Sequence, residues 1–157
     1  MECNYSFGSL PKTKYAPIFV VAYRRPAHLR QVFEALADNS EAKGSILFVG
    51  SDGPKFGDEA LVAEVRAVVD EYQDKGQFLQ VILMKSEINT NVWFSINCRF
   101  AVLKHYGNVI TFEDDVVVGK YFLRYMNEGL QKYKNRKDIF AISGFLPPLK
   151  ESLTVKK

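Results

Sequence analysis

A chain of 157 residues, 47% apolar and 25% charged, can bury one real core and has the proportions of an ordinary globular domain. Its formal charge of +3 comes from basic residues scattered over helix faces and both ends, which excludes a nucleic-acid-binding stripe and suits an anionic ligand. The longest apolar run, residues 16–23, is too short to span a bilayer, and the first ten residues lack the pattern of a secretory leader, so no integral membrane segment and a cytoplasmic setting are expected.

Residues 1–15 read as an N-terminal segment preceding the domain. Residues 17–23 form a fully buried strand, and Pro26 opens a helix in which Leu29, Val32, Phe33 and Leu36 recur on one face. A second unit repeats the pattern. Residues 45–50 are apolar and extended, Ser51-Asp52-Gly53-Pro54 is turn chemistry, and Leu61, Val65, Val68 and Tyr72 mark a helix. A third strand, 78–84, leads through a polar loop to a helix carrying Ile96, Phe100 and Leu103 and closed by Gly107. Cys98 lies in that helix, far from Cys3 and without metal-ligand spacing, so a reducing compartment is the simplest reading. Residues 108–112 are the fourth strand, 121–133 the fourth helix with Phe122, Tyr125, Met126 and Leu130 inward, and 138–143 a fifth strand. Strands alternating with helices predict an α/β, Rossmann-like domain over residues 16–148, mainly parallel with helices on both faces, followed by a polar tail at 149–157.

Ligands of such sheets sit beyond the carboxyl ends of the strands. Here those ends are Tyr23-Arg24-Arg25, Ser51-Asp52-Gly53, Glu113-Asp114-Asp115 and Ser143-Gly144. In extended backbone Glu113 and Asp115 share a face and Asp114 takes the other. Three neighbouring carboxylates repel unless a positive partner neutralises them, and a hard divalent cation, Mn²⁺ or Mg²⁺, would do so while keeping positions open for phosphate oxygens. No Gly-x-Gly-x-x-Gly follows the first strand and no Walker loop is present, which disfavours a dinucleotide oxidoreductase and a P-loop NTPase. His28 and His105 are isolated, there is no Cys-x-x-Cys, and no serine sits in a nucleophile elbow, which disfavours zinc chemistry and a serine hydrolase.

This order of parts resembles the nucleotide-binding half of a GT-A glycosyltransferase. Glu113-Asp114-Asp115 matches that fold's D-x-D motif in the Glu-x-Asp form of the branch containing N-acetylglucosaminyltransferase I. The first strand with Arg24-Arg25, the second with Ser51-Asp52, the helix with Asn97-Cys98-Arg99-Phe100-Ala101 and Ile142-Ser143-Gly144-Phe145 extend the likeness over residues 16–148. The resemblance implies a metal-dependent, inverting transfer of sugar from a nucleoside diphosphate sugar, a UDP-sugar above all, to an unknown acceptor. Asp115 would bind the metal, and Glu113 would face the ribose or transferred sugar beside Asp114. Asp52 would accept from the base, Arg25 or Arg24 would lie against the nucleotide, and Asn97 would contact the donor.

Plainer roles exist for several of these residues: Arg24 and Arg25 as solvated cations, Asp52 as a turn cap, and Asn97 as a helix-surface residue. An inverting transferase also needs a general base near the acceptor hydroxyl. In similar enzymes it lies in the acceptor half, beyond the fifth strand. The chain therefore reads as a donor-binding half, with Glu151 a poor substitute base. The alternative is a catalytically incomplete module that binds the nucleotide sugar without turning it over. Apolar surface that the other half would cover is expected to favour self-association.

Overall fold

A computed structural model describes residues 5–145, so Cys3, Glu151 and the 149–157 tail lie outside the described residues. Four strands, β1 (Ile18–Ala22), β2 (Ile46–Ser51), β3 (Gln80–Lys85) and β4 (Ile110–Glu113), form an all-parallel sheet of order β3-β2-β1-β4. Helices α1 (Pro26–Ala37), α2 (Glu59–Gln73), α3 (Trp93–Tyr106) and α4 (Phe122–Tyr133) follow the strands in turn. The chain steps outward from β1 through β2 to β3, then returns to the far side of β1 as β4. That reversal makes the β1/β4 boundary a topological switch point, where open parallel sheets bind ligands.

Strand alternation divides the core in two. Ile18, Val20, Leu47, Val49, Val81, Ile110 and Phe112 face α1, α2 and α4, where Leu29, Val32, Phe33, Leu36, Val65, Val69, Tyr72, Leu123 and Met126 cover them. Phe19, Ile46, Phe48, Ile82 and Met84 face α3 through Cys98 and Val102. The α/β fold with helices on both faces is thus the expected one. The α1 stripe of Leu29, Val32, Phe33 and Leu36 is fully buried, as its spacing predicts.

Four details differ from the sequence reading. Leu61 is exposed, and the buried stripe of α2 starts at Val62 instead. On α3 the inward residues are Ser95, Cys98 and Val102, while Phe100 is 55% exposed. Small residues are needed there because the helix sits close to the sheet: a Cβ added at Gly50 would lie 2.8 Å from the Phe19 ring and 3.1 Å from Ser95 Oγ. On α4, Leu123 is inward and Tyr125 is exposed, its hydroxyl donating to the Ser143 carbonyl at 3.3 Å. The fifth strand does not form. Residues 138–143 are irregular: Ile139 N–H closes a turn onto Arg136, Asp138 pairs with Arg136, and Ile142 packs against α4 at Gly129, so the segment's contacts go to the helix.

Within the N-terminal segment, Tyr5, Phe7 and Leu10 are partly buried and pack against the α3 side of the sheet, and Phe7 stacks on His105 with centroids 4.8 Å apart. Among the described residues no helix is long and apolar enough to cross a membrane.

Candidate nucleotide-binding site

The parallel register aligns Ala22 with Ser51, Ser51 with Lys85, and Val21 with Glu113, so the carboxyl ends of all four strands finish on one edge. Arg25, the residue immediately before α1, spans the switch point. Its guanidinium donates through one nitrogen to Asp114 Oδ1 and through the other to Asp115 Oδ2 at 2.7 Å. The two acids differ sharply in environment. Asp114 has a side chain 4% exposed and also accepts from the Tyr23 backbone N–H at 3.4 Å, whereas Asp115 is 44% exposed. β4 ends at Glu113 and Asp114-Asp115 form a turn, so extended alternation does not reach Asp115: Asp114 is buried, Glu113 and Asp115 are exposed, and the two aspartates meet one guanidinium. Arg25 therefore supplies the positive partner that the acidic cluster requires, and its guanidinium is held still more firmly protonated, chiefly by the Asp114 bond.

Glu113 titrates above the ordinary carboxylate range. Desolvation of its carboxyl is the largest cause, followed by the charge of Asp114; Arg99 and Arg25 oppose the rise and Asp115 adds to it. Arg99 thus acts electrostatically on the end of β4 from α3. Sequence reasoning passed over it, although it lies inside the Asn97–Ala101 stretch of the resemblance. Asn97, on the same helix, is partly buried.

The second half of the edge is a locked pair of loops. Asp52 is 3% exposed, and its carboxylate accepts from Gly53 N–H at 2.9 Å, Thr90 N–H at 2.9 Å and the Thr90 hydroxyl at 3.1 and 3.2 Å. Thr90 Oγ1 in turn accepts from Phe94 N–H at 2.9 Å, at the start of α3. Asn89 donates to the Gly53 carbonyl at 2.7 Å. Gly53 is required for this contact: an added Cβ would lie 2.4 Å from the Ile88 carbonyl carbon and 2.7 Å from Asn89 N. Arg66 closes the arrangement from α2, donating to the Ser86 carbonyl at 2.6 Å, the Asp52 carbonyl at 3.3 Å and Ser51 Oγ at 3.3 Å. Arg66 lies next to Val65 in the buried stripe of α2, a position that sequence reasoning passed over.

Arg24 points away from Arg25. It pairs with Asp58 at 3.0 Å, and Asp58 also accepts from the Tyr23 hydroxyl at 2.9 Å, which itself accepts from Lys55 N–H at 2.8 Å. These bonds hold the Asp58 carboxyl below its ordinary range, the Arg24 bond most of all. The structure therefore brings Arg25, Asp114 and Asp115 together, keeps Glu113 beside them, and places Arg24 and Asp52 in neighbouring loop-ordering networks.

Among the described residues, no three His, Cys, Asp or Glu side chains converge in a geometry that could enclose a metal ion. The half-exposed Asp115 still fits a hard divalent cation, because such ions retain water and accept one protein carboxylate together with phosphate oxygens.

No protein-family model and no curated protein matches the sequence. Solved structures do match. Staphylococcus aureus TarS residues 1–349 superimposes with a TM-score of 0.58 at 18% identity, covering 76% of this chain and 33% of that one. A second TarS structure gives 0.57 at 14% identity, covering 76% and 20%. The chain thus spans a third or less of the TarS chains it matches. The shared feature is the fold, a Rossmann-like parallel α/β sheet flanked by helices.

Proposed function

We propose that this chain is the donor-binding part of a metal-dependent GT-A glycosyltransferase that moves a sugar, with inversion, from a UDP-sugar to an acceptor. The observation that carries the reading is the convergence of Arg25, from the end of β1, with Asp114 and Asp115, from the end of β4, at the switch point of a parallel sheet similar in fold to TarS.

In this reading Asp115 holds Mn²⁺ or Mg²⁺ with the donor's phosphate oxygens, and the ion offsets charge on the departing diphosphate. Arg25 offers a planar fork suited to phosphate oxygens, with Arg24 next to it in sequence. Glu113 faces the ribose or the transferred sugar, with Arg99 and Asn97 lining the α3 side. Asp52 serves the base by holding the loop wall rigid, since its carboxylate is already engaged by Gly53 and Thr90.

A second reading is a module that binds the nucleotide sugar without turnover. It is favoured by the engagement of Asp52, Asp58, Asp114 and Asp115 in internal bonds, which leaves none of these four placed as a general base. A diphosphate-release assay separates the two: a panel of UDP-sugars with Mn²⁺, repeated in EDTA and with Asp115→Ala. Release that needs both the metal and Asp115 supports the transferase. Binding without release supports the module, and release unaffected by EDTA contradicts both metal-dependent readings.

A further inference from the structure

We infer that Arg25 is a built-in stand-in for the cation: without nucleotide it pairs with Asp114 and Asp115 at once, and it yields Asp115 while keeping Asp114 when a divalent cation and a diphosphate arrive. This rests on the donor-site reading above and adds a mechanism for coupling the two ligands.

The two arms of the Arg25 fork are unequal. The Asp114 arm ends on a buried carboxylate that the Tyr23 backbone also holds, so breaking it would strand a buried charge. The Asp115 arm joins two groups that are each 44% exposed, a pair that water and salt weaken. A divalent ion and a guanidinium cannot occupy Asp115 Oδ2 together without strong like-charge repulsion. An ion that takes Asp115 Oδ2 alone therefore displaces the exposed arm and leaves it without an anion. When a diphosphate accompanies the ion, the released N–H groups regain charged acceptors. Metal and diphosphate binding should then favour one another, by the same factor in each direction.

The test is Mn²⁺ binding, read from the electron paramagnetic resonance of the free ion, with and without UDP. It compares the wild type, Arg25→Gln, and the double variant Arg25→Gln/Asp114→Asn, which removes the buried charge should the single variant fail to fold. The expected result is Mn²⁺ binding on the order of tenfold tighter in the folded variant without UDP, the scale of one charge-assisted bond. The enhancement of Mn²⁺ binding by UDP should shrink by about the same factor. Mn²⁺ affinity equal to or below that of the wild type in the folded variants overturns the inference. The two readings fail separately: a gain in Mn²⁺ affinity with no UDP binding by any chain upholds the role of Arg25 and sinks the donor site, and UDP binding without that gain does the reverse.

Discussion

Replacing Gly53 by alanine probes the lock between the loops after β2 and β3. The new Cβ would lie 2.4 Å from Ile88 carbonyl carbon and 2.7 Å from both Asn89 N and Glu87 carbonyl carbon, all backbone atoms that no rotamer change can move aside. Forcing the loops apart costs about 1–3 kcal/mol as overpacking. Separation also lengthens the Asn89–Gly53 bond of 2.7 Å and the Thr90–Asp52 bond of 2.9 Å, each contributing about 1 kcal/mol. Reduced freedom of the unfolded chain returns about 0.4–1 kcal/mol. The net expectation is a loss of roughly 2–4 kcal/mol. Urea denaturation measures it as a fall in midpoint at unchanged slope. A change below about 0.5 kcal/mol, the range of an ordinary surface substitution, would refute the close approach of the two loops.

Arg66→Met keeps the apolar stem but leaves the Ser86 and Asp52 carbonyls without the clamp, for a loss of about 1–3 kcal/mol in denaturation and faster amide exchange at Thr90; unchanged exchange at Thr90 would argue against the clamp. Glu41 supplies a pH dependence. Its burial pushes the carboxyl up, but its own backbone N–H, Arg124 and Ser40 outweigh that, and the net shift is downward. A folded-state value below the unfolded one means a contribution fully present above the ordinary glutamate range and lost as pH falls through the folded value. Glu41→Gln should therefore lower stability at neutral pH and flatten the acid limb of stability against pH; an unaltered acid limb would contradict the Arg124–Glu41 linkage.

The sheet was legible because its strands are short apolar runs separated by helices with clean stripes, as in Leu29, Val32, Phe33 and Leu36. On α3 the same rule misled. Ser95 approaches Gly50 closely, Cys98 and Val102 continue the inner face, and large apolar residues such as Phe100 are left outside. Residues 138–143 have strand-like composition, but pairing is a tertiary outcome, and here their contacts go to α4. At the site, the acidic cluster at the end of β4 was legible, but strand alternation stops at Glu113, because Asp114 and Asp115 form a turn that brings both to one guanidinium. The pairing of Arg25 with two acids 89 and 90 positions away was beyond sequence spacing, because only the reversal of strand order at β1 brings those ends together. The same holds for Asp52 and Thr90, joined by adjacent strands and separated by a whole helix.

We propose a metal-dependent nucleoside diphosphate site at the junction of β1 and β4. Isothermal titration of the chain with UDP, in Mn²⁺ and in EDTA, beside Asp115→Ala, tests it most directly. Binding in Mn²⁺ that is lost both in EDTA and in Asp115→Ala is expected. UDP binding that persists in EDTA and survives loss of the Asp115 carboxylate, or no binding of UDP or GDP by the folded wild type in Mn²⁺, would contradict it.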